Sequence, residues 1–223
     1  MDAVFNQWKL EGPVQRVPVA GEEELVWLPE HGMGYFPVKQ EDWPYDQDYF
    51  NKYRGYSATK QGKQITRHRV DFVHRYYDGP VLDVGIGCGD FVQSYGERFG
   101  MARGFDVNPV AVQWLKDNKK YQNPLRAPLS RALTFWDSLE HIQAPGVMVL
   151  RALEWVFICA PIYKDLEHVL SSKHFRPDEH YWYWTHEGIV EWMAMHGFEW
   201  EGFHIGESLL GREDIETFAF KRR

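Results

Sequence analysis

Cysteine is scarce in this chain. Cys88 and Cys159 are the two present among 223 residues, too few and too far apart for a disulfide framework or a C-x-x-C metal pair, which points to a reducing compartment. Long apolar runs are missing as well. No stretch approaches the roughly eighteen apolar residues that a membrane-spanning helix needs, and the first residues, with Asp2 and a Trp8-Lys9 break, lack a secretory pattern. A cytoplasmic protein is the expectation. Positive charge is in deficit too: 25 Lys and Arg face 32 Asp and Glu, for a formal charge of −7. That balance argues against a surface built to neutralise nucleic-acid phosphates. The basic run Lys60, Lys63, Arg67, His68 and Arg69 reads as a solvated helix face. The chain shows no internal repeat and no low-complexity segment.

What the chain has is aromatic side chains, 16% of residues with ten Trp, gathered in residues 35–56 and 175–203. Most must serve packing, and the rest can wall a substrate pocket. The length fits one large domain, or a domain with an appendage. In residues 1–40, Pro13, Pro18, Pro29 and Pro37 separate short β-like pieces at 14–19, 25–28 and 35–38, the pattern of a hairpin-rich extension. An aromatic, acidic connector over 41–60 starts a short helix near Tyr45-Asp46-Gln47-Asp48-Tyr49-Phe50. Apolar positions then predict a helix over 65–77, interrupted by Arg69 and stopped by Asp78-Gly79-Pro80. We therefore divide the chain into an extension, 1–60, and a main domain, 61–223.

From residue 81 onward strands and helices alternate, which predicts a mostly parallel sheet covered on both faces. Strands are expected at 81–84, 102–106, 132–136 and 154–160, with helices at 89–99, 109–117, 146–153 and 185–196. The tail offers two further strands, 200–205 and 215–220. Between the first strand and its helix lies Gly85-Ile86-Gly87-Cys88-Gly89. Glycine there permits positive φ and lets a ligand approach bare backbone at a helix N-terminus. Asp106, closing the next strand, can accept hydrogen bonds from both hydroxyls of a ribose. A dinucleotide turn is G-x-G-x-x-G, whereas the sixth position here is Asp90, so a pyrophosphate is the poorer match.

The run Asp83-Val84-Gly85-Ile86-Gly87-Cys88-Gly89, followed by Gly104-Phe105-Asp106-Val107-Asn108, resembles the cofactor motifs of class I S-adenosylmethionine (SAM) dependent methyltransferases. Downstream, Asp137-Ser138-Leu139-Glu140-His141 looks like the D-x-L-E-H segment of the branch that includes ubiquinone-biosynthesis O-methyltransferases. Phe157-Ile158-Cys159-Ala160-Pro161 resembles its proline-closed strand. His180, Thr185 and His196-Gly197-Phe198 are similar to its late pattern, so the resemblance spans about residues 65–223. It implies a Rossmann-like, mostly parallel seven-stranded α/β sheet with helices on both faces and an antiparallel C-terminal edge pair. SAM is the implied cofactor, held by Asp83, Gly85, Gly87, Cys88, Gly89, Asp106, Val107 and Asp137. The stretch 116–131 is short and polar, and it offers no motif for the adenine.

His141 is the first choice as general base, since neutral imidazole matches working pH, and His180, which matches the branch's pattern, either lines the acceptor site or has a solvent-facing or packing role. That branch also implies a divalent metal on an acidic residue, x-x, then Glu-His, with Asp137 standing where Glu is frequent. The favoured reading has no metal; Glu140-His141 caps the following segment and shapes the pocket. His168, His174 and His186 share a six-residue spacing with His180 that no helix face or zinc motif requires. The aromatic run 181–184 is either an acceptor wall or core.

A methyl acceptor that is a small molecule or glycan-like is expected, through its oxygen or nitrogen. Nucleic-acid bases are disfavoured: neither cysteine follows a proline, and Asp137-Ser138-Leu139-Glu140 replaces the Asp/Asn-Pro-Pro-aromatic run. Two alternatives stand beside this reading. One is a catalytically inactive SAM-fold scaffold; the other is a nicotinamide-dependent oxidoreductase, whose ribose Asp106 would suit equally. Finally Tyr35, Phe36, Trp43, Tyr45, Tyr49, Phe50, Tyr53 and Tyr56 are expected to fold over the cofactor edge as a lid, with a packing or homodimer surface as the equal alternative.

Overall fold

The computed structural model describes residues 12–19, 23–37 and 45–223. The expectations placed on Val38 and Trp43 lie outside the described residues. The chain opens with β1 (Gln15–Pro18), β2 (Glu24–Leu28) and β3 (Met33–Tyr35), then α1 (Gln47–Ser57) and α2 (Lys60–Tyr76). Both helices start at capped ends: the Tyr49 N–H donates to the Asp46 carboxylate at 2.9 Å, and the Gly62 N–H to Thr59 Oγ1 at 3.0 Å. Such caps satisfy donors that the first helical turn leaves unpaired.

The alternating region follows as β4 (Val81–Val84), α3 (Asp90–Phe99), β5 (Ala102–Phe105), α4 (Pro109–Asp117), β6 (Ser130–Trp136), α5 (Pro145–Val149) and β7 (Ala152–Tyr163). It continues through α6 (Leu166–Ser171), β8 (Trp182–Thr185), α7 (His186–Met195), β9 (Phe198–His204), α8 (Gly206–Leu209) and β10 (Ile215–Arg222). Strands β5, β4, β6 and β7 lie side by side and parallel. Alternate side chains feed two cores. Leu82, Val84, Leu133 and Phe135 pack with Trp192 and Met193 of α7, while Val81 and Phe157 pack with Phe72, Val73, Val92 and Tyr95 of α2 and α3. Burial on both faces explains why these strands read as near-continuous apolar runs.

Among the described residues the sheet has ten strands, not seven. The reason is the length of β7. From Trp155 to Pro161 it pairs with β10, which carries β9 as an antiparallel edge. Beyond the end of β6, Ile162 and Tyr163 pair in parallel with β8, and β8 carries β3, β2 and β1 in antiparallel order. The hairpin segment thus continues the main sheet. On the opposite edge, beside β5, a single parallel bridge from Gly104 to Tyr121 stands where the polar stretch passes.

Two local expectations are corrected, and the alternatives for the aromatic run are decided toward core at 182–184. The helix expected over 146–153 ends at Val149, because Ala152 already pairs with Ser130 and β7 has begun. The aromatic run is strand β8, with Trp182 and Trp184 in one core and Tyr183 in another, the side-to-side alternation of a strand rich in β-favouring residues. Arg69 is not part of a solvated face: its side chain is 16% exposed and ion-paired. Among the described residues no helix is long and apolar enough to cross a membrane.

Candidate active site

A cavity of about 680 Å³ opens at the carboxyl ends of β4, β5 and β6, where an open parallel sheet gathers its ligands. The glycine loop forms its floor. Gly85, Gly87 and Gly89 have φ of 81°, 56° and 85°, the left-handed region that side chains rarely adopt. Their surroundings differ. A Cβ on Gly85 would sit 2.4 Å from Ser138 Cβ, and one on Gly89 would sit 2.4 Å from the Trp114 ring, so close packing alone requires both glycines. A Cβ on Gly87 would meet nothing within 4 Å beyond its chain neighbours, and the residue lines the cavity. Cys88 lines it too, half-buried, with its thiol pushed up by burial.

Asp106 caps β5 directly across from this loop. Its Oδ1 accepts the Asn108 N–H at 2.8 Å. Burial raises its carboxyl, while backbone N–H groups of Asn108, Gly87, Val107 and Ile86 pull it back down. Val107 is exposed beside it and lines the cavity. Asp83 behaves differently. It lies beneath the loop, 1% exposed, accepting from Thr134 Oγ1 at 2.7 Å, and burial pushes its carboxyl up to about 8. At neutral pH it is mostly protonated, which suits a group that braces β4 against β6.

Asp137 stands at the tip of β6 in a left-handed conformation, φ 53°, a strained state for a non-glycine residue. Its carboxylate accepts Arg69 Nη2 at 2.7 Å and Arg212 Nη1 and Nη2 at 2.8 and 3.0 Å. Glu207 closes the ring, accepting Arg69 Nε at 2.6 Å, Arg212 Nη1 and the Cys159 thiol at 3.2 Å. The two guanidinium groups hold both carboxyls below their ordinary range against the opposing cost of burial. Asp137 therefore borders the cavity with its oxygens committed to arginine. Arg69, Glu207 and Arg212 are site residues that sequence reasoning misses. The only trace there is Arg69 breaking an apolar stripe.

Glu140 and His141 follow in a short 3-10 turn, and His180 meets them from the loop before β8. The His141 and His180 rings are edge to face at 4.6 Å, and the Tyr181 N–H donates to the Glu140 carbonyl at 2.7 Å. Ligating atoms of Glu140, His141 and His180 all lie within 4.8 Å of one another. Glu140 is 2% exposed, with its carboxyl pushed up to about 8 by burial and by the neighbouring Asp137 charge. Its Oε2 has no hydrogen-bond partner among the described residues. His141 lines the cavity. The other histidines go elsewhere: His168 pairs with Asp214, His186 with Glu216, and His174 bonds the Glu213 carbonyl.

The roof is α1. Tyr45, Tyr49, Tyr53 and Tyr56 all line the cavity, whereas Phe50, on the opposite side of the helix, is buried in the core with α2 and α3. Tyr35 and Phe36 pack instead near β8, against Trp182 and Tyr183.

The backbone agrees with solved structures across most of the chain. A magnesium protoporphyrin IX methyltransferase from Synechocystis, solved with S-adenosylhomocysteine (SAH), superposes with TM-score 0.59 at 12% identity, covering 80% of this chain and 96% of that one. This is the class I SAM-dependent methyltransferase fold. A second structure of that fold, a 1,6-didemethyltoxoflavin N1-methyltransferase from Burkholderia thailandensis with SAH bound, covers 93% of this chain and 99% of that one at TM-score 0.51 and 13% identity. A third match is a 4+2 cyclase, SpnF, with TM-score 0.55, 13% identity and coverage of 74% and 83%. The fold thus serves more than one reaction. No family model matches the sequence, and no curated protein matches it. None of these three structures singles out the ubiquinone branch.

Proposed function

We propose that the protein transfers the methyl group of SAM to an oxygen or nitrogen of a small-molecule or glycan-like acceptor. The observation that carries this reading is Gly87: it is held at positive φ, faces open cavity, and stands opposite Asp106 at the tip of the next strand. Packing gives no reason for a glycine at that place; a ligand lying on the backbone does. When bound, SAM supplies an activated methyl on a sulfonium, ready for in-line displacement. The protein then has to position and to remove a proton. Asp106 takes the ribose hydroxyls, and the backbone of Gly85 to Gly89 lies along the methionine part. Asp83 and Asp137 act through others, the first bracing the loop from below and the second fixing Arg69 and Arg212 at the rim. His141, at the cavity wall with His180 beside it, accepts the acceptor's proton.

A second reading rests on the convergence of Glu140, His141 and His180. Two imidazoles and one carboxylate fit a divalent cation, and they would hold it beside the acceptor, where it would lower the pKa of a bound hydroxyl. Metal content of the purified protein, and its loss in His180→Ala, separates this from the metal-free base. For the cofactor itself the test is calorimetric titration with SAH. Intact protein should bind it and Asp106→Ala should weaken binding severely. Absence of binding by intact protein, with NAD bound instead, would turn the assignment to the oxidoreductase alternative. The acceptor would then be sought by mass spectrometry with labelled SAM and a metabolite extract.

A further inference from the structure

The roof of the cavity is built for one sign of charge. Tyr49 and Tyr53, four residues apart, fall on one side of α1, and Tyr45, just before the N-cap Asp46, continues the row. Their rings form a ladder, with centroids 5.2 Å apart from Tyr45 to Tyr49 and 4.8 Å from Tyr49 to Tyr53. Facing the same cavity are Asp178 and Glu179, from the loop before β8. Glu179 is partly offset by Arg176 at 3.1 Å, while Asp178 takes part in no ion pair among the described residues. The cations that line the cavity among the described residues are Arg69 and Arg212, and Asp137 and Glu207 neutralise both. Among the described residues no lysine lines it. A cation of the chain already lies over one ring of the ladder, Lys52 Nζ standing 5.9 Å from the Tyr53 ring centre.

Electron-rich ring faces beside carboxylates that outnumber their cations, here Asp178 and Glu179 against Arg176, recognise alkylammonium groups, by attraction to the ring quadrupole together with charge. We propose that the acceptor carries a cationic ammonium head, secondary to quaternary, seated between the ladder of Tyr45, Tyr49 and Tyr53 and the carboxylates of Asp178 and Glu179. The proposal rests on the methyltransferase reading for the word acceptor; the ammonium seat itself is a property of the cavity. An anionic acceptor would meet carboxylates with no free cation among the described residues to answer it. A neutral aromatic acceptor would stack on the rings but leave the two carboxylates without purpose.

The test uses full-length protein saturated with SAH and two probes of equal shape, choline and its uncharged isostere 3,3-dimethylbutan-1-ol, each titrated calorimetrically. Choline should bind about tenfold more tightly than the neutral alcohol, consistent with a cation–π seat partly shielded from water. Tyr49→Leu and Glu179→Gln should each remove most of that preference, and Tyr49→Phe should keep it. Equal binding of the two probes, or binding of neither, overturns the proposal. So does displacement of SAH by choline, which would assign the ladder to the cofactor. Protein that holds no SAH at all fails the cofactor reading instead, and the choline comparison on that protein still decides whether the ammonium seat exists.

Discussion

The three loop glycines make a graded experiment, because the same Cβ meets a different neighbour at each. At Gly87 an alanine meets no atom within 4 Å, so its cost is the left-handed backbone alone, φ 56°, about 1–2 kcal/mol. For a domain of this size that lowers Tm by roughly 2–8 °C, at about 2–4 °C per kcal/mol. At Gly85 the same strain adds to an overlap with Ser138 Cβ at 2.4 Å. Ser138 is itself tied down, donating through Oγ to the Val84 carbonyl at 2.6 Å. Overpacking of that kind adds about 1–3 kcal/mol, so Gly85→Ala should melt well below Gly87→Ala. Binding should rank the other way among variants that still fold. Gly87→Val is less stable than Gly87→Ala, because a β-branched side chain disfavours φ 56° more than alanine does, and it fills the open floor, so SAH affinity of the folded variant should fall by more than about tenfold. Scanning fluorimetry gives the first order and calorimetry the second. If Gly87→Val binds SAH like the parent, Gly87 does not face the cofactor and the central argument for the site is lost.

The buried ring of Arg69, Asp137, Arg212 and Glu207 predicts that Glu207→Gln costs about 3–5 kcal/mol, since two guanidinium groups are left with one carboxylate. A urea midpoint lowered by less than about 0.5 M would contradict this. Asp83 sets a pH dependence: raised to about 8 in the folded state, it holds a proton that the unfolded chain has lost. Its contribution is complete below about pH 4 and disappears as pH rises through about 8, so Asp83→Asn should flatten the fall in Tm over that window. Asp137 and Glu207 run opposite, being depressed, and their contribution goes as acid protonates them; an acid limb unaffected by Glu207→Gln would deny that. Doubling Tyr49→Ser with Tyr53→Ser should raise the SAH off-rate if α1 closes the cavity, and an unchanged stopped-flow off-rate would leave α1 as packing. Removing residues 1–60 takes β2 and β3 from β8 and uncovers the buried Trp184, so that truncation should yield insoluble protein; a soluble, folded product would show that the hairpin adds little.

The glycine-loop half of the cavity was legible in the sequence because it is made locally. A strand, three glycines, a helix start and a second strand closing on Asp106 lie within about 25 residues, and each follows from short-range rules: a short apolar run, positive φ, a helix N-terminus. The same holds for Asp46 and Thr185, whose residue types mark a helix start, whereas the helix expected from 65 begins at Lys60 behind Thr59. What only tertiary structure decided depends on partners distant in sequence. Arg69 meets Glu207 across 138 positions and Asp137 across 68, so nothing local could show that Asp137 would turn to arginine while Gly87 stayed open. His180 reached His141 because β8 pairs with the end of β7, and the same pairing drew the N-terminal hairpin into a ten-stranded sheet. Local sequence sets backbone conformation, whereas strand partnership and buried charge pairing are settled by which surfaces must leave water together.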